Sequence, residues 1–435
     1  MRPRLASIVA LLASALSCGP CSREKPAPAP APAPLLPPDL LPPPAPWVFA
    51  REQRDFDVAL PERCRPRGPL VRAKVPPSTR FYTDGRSLGA LAVGDVAEGP
   101  PRLTGAAALT LEPEGKSHDP RSLPWLLPGE APRIARLPGG GLVAAFDRPG
   151  DGHASRVGLF RSGAPGTPGA AEALGEGDAF EALDLACAGL GAAARCVVFT
   201  SRLGKVAPPG AMLWAFAPDA PAEALRQIEI LPAETSSDAR PFGLDHVELA
   251  PETALGVRAT AVLADKEAVF FMPIGSEGGS EGGSKGGGEG EGARALARLP
   301  AEHGVLDAAT LPTPVAMTHA TPLDDDGCAK GALAAIRFER EGLPRVEVNT
   351  PSPPLFGALR RLDGGGLAVW LAPLGCKRPR QVVYAVVLDA QGAPVSAPMA
   401  VADGTSFAVA AVGSEVDLFI QNDASVSWTR MTCAP

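Results

Sequence analysis

The chain has 435 residues, a formal charge of −7 and an isoelectric point near 5.4, and its 41 basic residues are scattered instead of clustered. That balance offers no basic footprint for a phosphate backbone and argues against nucleic acid as a partner. Apolar residues make up 45% but aromatics only 5%, with 48 Gly and 50 Pro, a composition of many short elements and frequent turns that predicts an all-β body.

The first residues read as an address. Arg2 and Arg4 precede an apolar run from Leu5 to Leu16, too short to span a bilayer and shaped like the apolar region of a secretory signal. Ala15-Leu16-Ser17-Cys18-Gly19 resembles the lipobox of bacterial lipoproteins, in which the cysteine is lipidated and becomes the mature N-terminus. The resemblance covers only these residues, and the family usually has Leu where Ala15 stands and a smaller residue where Leu16 stands. It implies a signal peptide over 1–17, a lipid on Cys18, membrane contact through that lipid and a place in the bacterial cell envelope. The competing expectation is cleavage after Ala13-Ser14-Ala15, which would release a soluble secreted protein. From Pro26 to Pro46 there are 11 prolines in 21 residues, a polyproline-like composition. At ~3.1 Å per residue it forms a spacer of about 65 Å, so 18–46 is expected to be a tether and 47–435 the folded body.

Within the body, Phe56 to Leu60 alternates as a strand should, without a nearby hairpin partner. A first unit follows, with strands over Leu88–Val96 and Ala106–Leu111 divided by a turn at Glu98-Gly99-Pro100-Pro101. The second opens on the hairpin Arg133–Phe146, whose two runs meet at Gly139-Gly140-Gly141, and continues through Arg156–Arg161. Four runs make the third: Ala182–Cys187, Arg195–Thr200, Met212–Phe216 and Arg226–Leu231. The fourth has Leu244–Leu249, Val257–Leu263 and Ala268–Ile274, then Gly275–Gly292, built only from Gly, Ser, Glu and one Lys. That stretch has no apolar side chain to bury and is expected to be a disordered insertion between two strands, since a strand-like run resumes at Ala295–Leu299.

The fifth unit is Pro314–His319, Ala332–Phe338 and Arg345–Val348, with Asp324-Asp325-Asp326 placed in its first turn. The sixth repeats the triple-glycine hairpin as Ala358–Leu371 around Gly364-Gly365-Gly366, then Val382–Leu388 and Val395–Val401. The last, Phe407–Val412, Val416–Ile420 and Val426–Met431, supplies only three strands. Seven units at a step of ~55 residues predict a β-propeller, and the missing strand predicts closure by an N-terminal one, Phe56–Leu60. Two β-sandwich domains are the alternative.

An even set of body cysteines in an exported chain reads as disulfides. Cys64 and Cys433 lie beside the strands that close the ring, Cys187 and Cys196 flank a hairpin turn, and Cys328 and Cys376 remain as a third pair. That last pair conflicts with the unit assignment, which puts the two on opposite faces.

No motif calls for a metal or a cofactor. The five histidines, His118, His153, His246, His303 and His319, stand singly, and no GxSxG is present. Asp324, Asp325 and Asp326 are a weak calcium candidate, since the alternating ligands and glycine of a calcium loop do not appear and an acidic surface turn explains them better. No catalytic residue can be picked out by spacing. Two function classes remain. One is a non-catalytic binding or scaffold lipoprotein with an envelope protein or component as partner; the other is an exported glycan hydrolase or lyase acting at the ring centre. With 2 Tyr and 5 Trp, the aromatic platforms that glycan sites use are scarce, which favours the first.

Overall fold

The computed structural model describes residues 59–68, 70–74, 80–95, 106–111, 121–123, 132–137, 142–149, 155–162, 171–174, 180–202, 210–218, 226–230, 239–275, 295–301, 304–319, 334–374, 380–422 and 425–435. After β1 (Cys64–Pro66) and β2 (Val71–Lys74), the chain forms seven antiparallel sheets in strict sequence order. Sheet 1 is β3 (Arg80–Tyr82), β4 (Ala90–Asp95), β5 (Ala106–Leu111) and β6 (Arg121–Leu123). Sheet 2 is β7 (Arg133–Arg136), β8 (Leu142–Pro149), β9 (Ser155–Ser162) and β10 (Ala171–Leu174). Sheet 3 is β11 (Phe180–Ala188), β12 (Arg195–Arg202), β13 (Gly210–Phe216) and β14 (Arg226–Ile230).

Sheet 4 is β15 (Arg240–Leu249), β16 (Val257–Ala264), β17 (Ala268–Ile274) and β18 (Ala297–Pro300). Sheet 5 is β19 (Gly304–Thr310), β20 (Pro314–His319), β21 (Ala334–Arg340) and β22 (Leu343–Thr350). Sheet 6 is β23 (Phe356–Leu362), β24 (Gly365–Leu374), β25 (Arg380–Leu388) and β26 (Met399–Asp403). Sheet 7 is β27 (Ser406–Val412), β28 (Glu415–Asn422) and β29 (Ser425–Cys433), with β1 and β2 both paired to β29 as its outer strand. First strands of successive sheets touch from β7 to β27, and β27 returns to β3. The sheets are therefore the blades of a seven-bladed β-propeller, with first strands around the axis.

The core lies between blades. Along β24, Leu367, Val369 and Leu371 face sheet 7, whereas Ala368, Trp370 and Ala372 face sheet 5. β25 divides the same way, Val383, Ala385 and Val387 against Val382, Tyr384, Val386 and Leu388. A middle strand buried on both faces reads as a continuous apolar run, because the period of two sends alternate side chains into two different cores. Similar clusters join sheets 2 to 3, 3 to 4, 4 to 5 and 7 to 1.

The expected N-terminal closure is present, but with different residues. Ala59 and Leu60 lie outside any strand, and 51–58 lie outside the described residues. The chain turns at Pro61, whose carbonyl accepts the Cys64 N–H at 2.8 Å, and β1 and β2 then run antiparallel to β29. Pro66 is tolerated because this outermost strand bonds on one side only. Cys64 stands directly opposite Cys433, and neither N–H is used between them: Cys433 donates to Ser414 O at 2.9 Å. That is the pair type in which antiparallel Cα atoms approach closest, and a disulfide joins the two at a Cα separation of 4.1 Å. Cys187 and Cys196 occupy the same relation across β11 and β12 and are also bonded.

Other expectations shift. In sheet 5 the first strand is Gly304–Thr310, which makes Pro314–His319 the second and moves Asp324-Asp325-Asp326 from the first turn to the β20–β21 connection. The turn near Gly99 is likewise the second connection of its sheet, the first being 83–89. In sheet 6 the fourth strand begins at Met399, later than Val395, because Pro394 and Pro398 cannot donate to a ladder. Gly275–Gly292 falls between β17 and β18, which pair with each other, as an insertion must; 276–294 lie outside the described residues.

Both disulfides constrain the unfolded chain, by loops of very different length. The chain-entropy model assigns about 6 kcal/mol to the bridge with a sequence separation of 369 and about 3 kcal/mol to the one with a separation of 9. Denaturant unfolding of Cys64→Ser/Cys433→Ser and Cys187→Ser/Cys196→Ser double variants is expected to show the larger loss in the first. Equal losses would mean that the unfolded ensemble is not limited by ring closure.

Candidate functional site

The ring axis is where the inner strands converge, and its polar groups come from irregularities in those strands. Register shifts in β11, β15 and β19 fall at Leu183-Asp184, Leu244-Asp245 and Leu306-Asp307. Each aspartate then caps the next sheet. Asp184 Oδ2 accepts the Leu244 N–H at 2.9 Å, Asp245 Oδ1 the Thr310 N–H at 2.6 Å, and Asp307 Oδ2 the Leu359 N–H at 2.7 Å. In β23 the corresponding residue is Arg360, which donates to Asp307 Oδ2 at 3.0 Å and to Val409 O of β27 at 3.2 Å. Between sheets 7 and 1, Asp417 Oδ2 accepts the Gly89 N–H at 2.8 Å while its Oδ1 pairs with Arg430 at 2.9 Å.

The loop from Asp84 to Gly89 crosses this space. Asp84 Oδ1 accepts the N–H groups of Arg86 and Ser87, its Oδ2 accepts the Ser87 hydroxyl at 2.6 Å, and the Arg136 N–H of sheet 2 lies 3.3 Å from Oδ2. Gly85 and Gly89, at φ of +70° and +94°, supply the left-handed backbone at its two bends. A Cβ on Gly85 would stand 2.9 Å from Arg360 Nε of sheet 6. From between them, Arg86 reaches Asp184 Oδ2 at 3.1 Å in sheet 3 and Leu244 O at 2.6 Å in sheet 4. Sheet 4 is as far from sheet 1 as a seven-membered ring allows, so the guanidinium spans the channel. Asp184, Asp84 and Asp245 outweigh its burial and hold its pKa above the ordinary arginine value.

The axial carboxylates are thus committed to holding sheets in register, with one exception. Asp245 Oδ2 is buried and has no hydrogen-bond partner. Burial raises the Asp245 carboxyl above its usual range, against the hydrogen bonds of Thr310 and the charges of His246 and Arg86. Burial raises Asp307 too, opposed by Arg360.

Of the residues singled out by sequence, Cys64, Cys433, Cys187 and Cys196 are paired as expected. Cys18, Cys328, Cys376, Asp324, Asp325 and Asp326 lie outside the described residues, as do His118, His153 and His303. His246 is exposed on β15, with Nε2 3.6 Å from Glu248, and His319 ends β20. Sequence reading missed the axial aspartates, although Leu-Asp recurs at 183, 244 and 306 in steps of 61 and 62. Two disulfides fit an exported chain, and among the described residues no helix is long and apolar enough to cross a membrane.

No family model matches the chain, and no curated protein does. Solved structures similar to it include the Trypanosoma rangeli sialidase, at 12% identity and a TM-score of 0.34, covering 74% of this chain. The chain spans only 56% of that sialidase. An ulvan lyase of family PL25 is 12% identical with a TM-score of 0.43 over 82% of this chain and 93% of its own. The Dos1 propeller is 8% identical with a TM-score of 0.39 over 79% and 75%. At these scores nothing about activity follows, and the fold stands on the sheet order itself.

Asp245 makes a measurable signature. With its folded pKa above the unfolded value, its contribution to stability is complete below the unfolded pKa and is lost as pH rises through the folded one. Asp245→Asn keeps the Oδ1 acceptor and removes the charge. In denaturant unfolding the variant is expected to match the native protein near pH 4 and to exceed it near pH 7; a variant that falls further behind as pH rises contradicts the assignment.

Proposed function

We propose that this protein is a non-catalytic binding module of the bacterial cell envelope, exported and held at a membrane by a lipid on Cys18. The observation that carries the reading is the axis. A catalytic centre there would need carboxylates free to trade protons with a substrate and room for that substrate. Here Arg86 spans the channel, and Asp84, Asp184 and Asp307 accept backbone N–H groups of neighbouring elements. The two disulfides support export, and the proline-rich stretch before the body supports a tether that sets it away from a surface.

One observation favours the glycan hydrolase or lyase reading: Asp245, with its carboxyl pKa raised by burial and its Oδ2 left without a hydrogen-bond partner, has the environment of a general acid. Among the described residues no second carboxylate oxygen is buried without a hydrogen-bond partner, and an acid needs a partner base or nucleophile.

Detergent-phase partitioning of the full chain produced in an exporting bacterium tests the anchor. The native protein is expected in the detergent phase and Cys18→Ala in the aqueous phase. A native protein found in the aqueous phase with its N-terminus at Leu16 would remove the anchor.

A further inference from the structure

The two disulfides stand in opposite surroundings. Cys64 and Cys433 are 7% and 0% exposed, sealed in the apolar cluster that sheets 6 and 7 share with Leu70 and Met431. Cys196 is buried as well, but Cys187 is partly exposed, alone among the four bonded cysteines. It is the next to last residue of β11, where the inner strand of sheet 3 passes into its first turn.

That turn offers little to shield it. Gly189 bends at a φ of +84°, Gly191–Ala193 form a single 3₁₀ turn with no buried residue, and Leu190 is 69% exposed. Apart from Leu190, the loop from Ala188 to Ala194 carries only glycine and alanine, so a second molecule can come close to the bond. From Leu185 to Arg202 there is no acidic residue. The cation before Cys196, Arg195, is held at the loop by hydrogen bonds from Nη1 to Ala192 O at 3.2 Å and Ala194 O at 2.7 Å. An incoming thiolate meets no like charge in this hairpin and one opposite charge.

The bond is also the one whose loss disturbs the fold least. Cys187 and Cys196 face each other inside a ladder that runs from Phe180 opposite Arg202 to Ala188 opposite Arg195, and β12 is held on its other side by β13. The bond spans a sequence separation of 9, against 369 for Cys64 and Cys433, so it carries the smaller share of the chain constraint. Asp184, which bonds Arg86 and the Leu244 N–H, lies further up β11 within the same ladder.

We propose that Cys187–Cys196 is an exchangeable disulfide, reduced by an external dithiol that attacks Cys187 Sγ, whereas Cys64–Cys433 is a structural bond closed to exchange. In the first step a thiolate of the dithiol bonds to Cys187 Sγ, the bond to Cys196 breaks, and Cys196 leaves as a thiolate that takes up a proton. In the second, the other thiol of the dithiol gives up its proton and displaces Cys187, which leaves as a thiolate and is protonated in turn. Two electrons pass to the protein, and the dithiol ends as a disulfide. Exposure separates labile from structural disulfides in this chemistry, and only the first pair has it. The β11–β12 ladder keeps the reduced hairpin and the axial contacts of Asp184 in place, so the exchange is reversible. It does not depend on the binding-module reading or on the lipid anchor.

Incubation of the folded protein with dithiothreitol, followed by alkylation and peptide mapping, tests it. Cys187 and Cys196 are expected to be alkylated about tenfold faster than Cys64 and Cys433, or more, with the thermal transition of the product still cooperative. With reduced glutathione in place of the dithiol, the mixed disulfide is expected on Cys187. Equal rates for the two bonds, faster loss of Cys64–Cys433, a glutathione adduct on Cys196 instead of Cys187, or reduction that proceeds only once denaturant unfolds the protein would each overturn the assignment.

Discussion

A ring of sheets has to join its ends, and here the joint is a pair of strands drawn from opposite termini. β29 alone would present an open ladder of N–H and C=O groups, and β1 and β2 cover it. The closing segment is more than an edge. Cys64 and Leu70 enter the same apolar cluster as Met431 and Cys433, so the last inter-blade core is incomplete until the N-terminal residues arrive. On the other side of sheet 7, Phe81 of β3 stacks on Phe419 of β28 at 5.9 Å, tying the first blade to the last. The covalent link between Cys64 and Cys433 makes this contact permanent in an oxidising compartment.

Closure also explains the axis. Seven inner strands crowd together, and each pairs within its sheet on one side only, which leaves backbone N–H groups on the axial edge without a ladder partner. Aspartate carboxylates from the preceding blade accept those groups at 2.6–2.9 Å, which suits register better than reactivity. Carboxylates brought this close would repel one another, and Arg86 and Arg360 supply the compensating charge. A centre arranged in this way is a structural clasp.

How much of this could be read beforehand depended on what each segment buries. The triple-glycine hairpin Ala358–Leu371 was legible because both strands are apolar and the turn needs positive φ, which Gly364 adopts at +83°. The blade count survived two misplaced turns, since each blade repeats whichever of its turns is noticed. Sheet 5 was misaligned because Asp307 interrupts its first strand, and a buried carboxylate looks like a turn residue when its backbone partner in the next blade is unknown. The Leu-Asp repeat was diluted by the same dipeptide at Leu323, Leu362 and Leu388, of which the latter two stand at ordinary strand ends.

Closure of the ring by an N-terminal strand is the claim on which the fold and the covered edge both rest. Mass-spectrometric mapping of peptides from unreduced protein tests it most directly. The structure predicts a single disulfide-linked pair of peptides containing Cys64 and Cys433. Recovery of either cysteine as a free thiol, or joined to another partner, would contradict it.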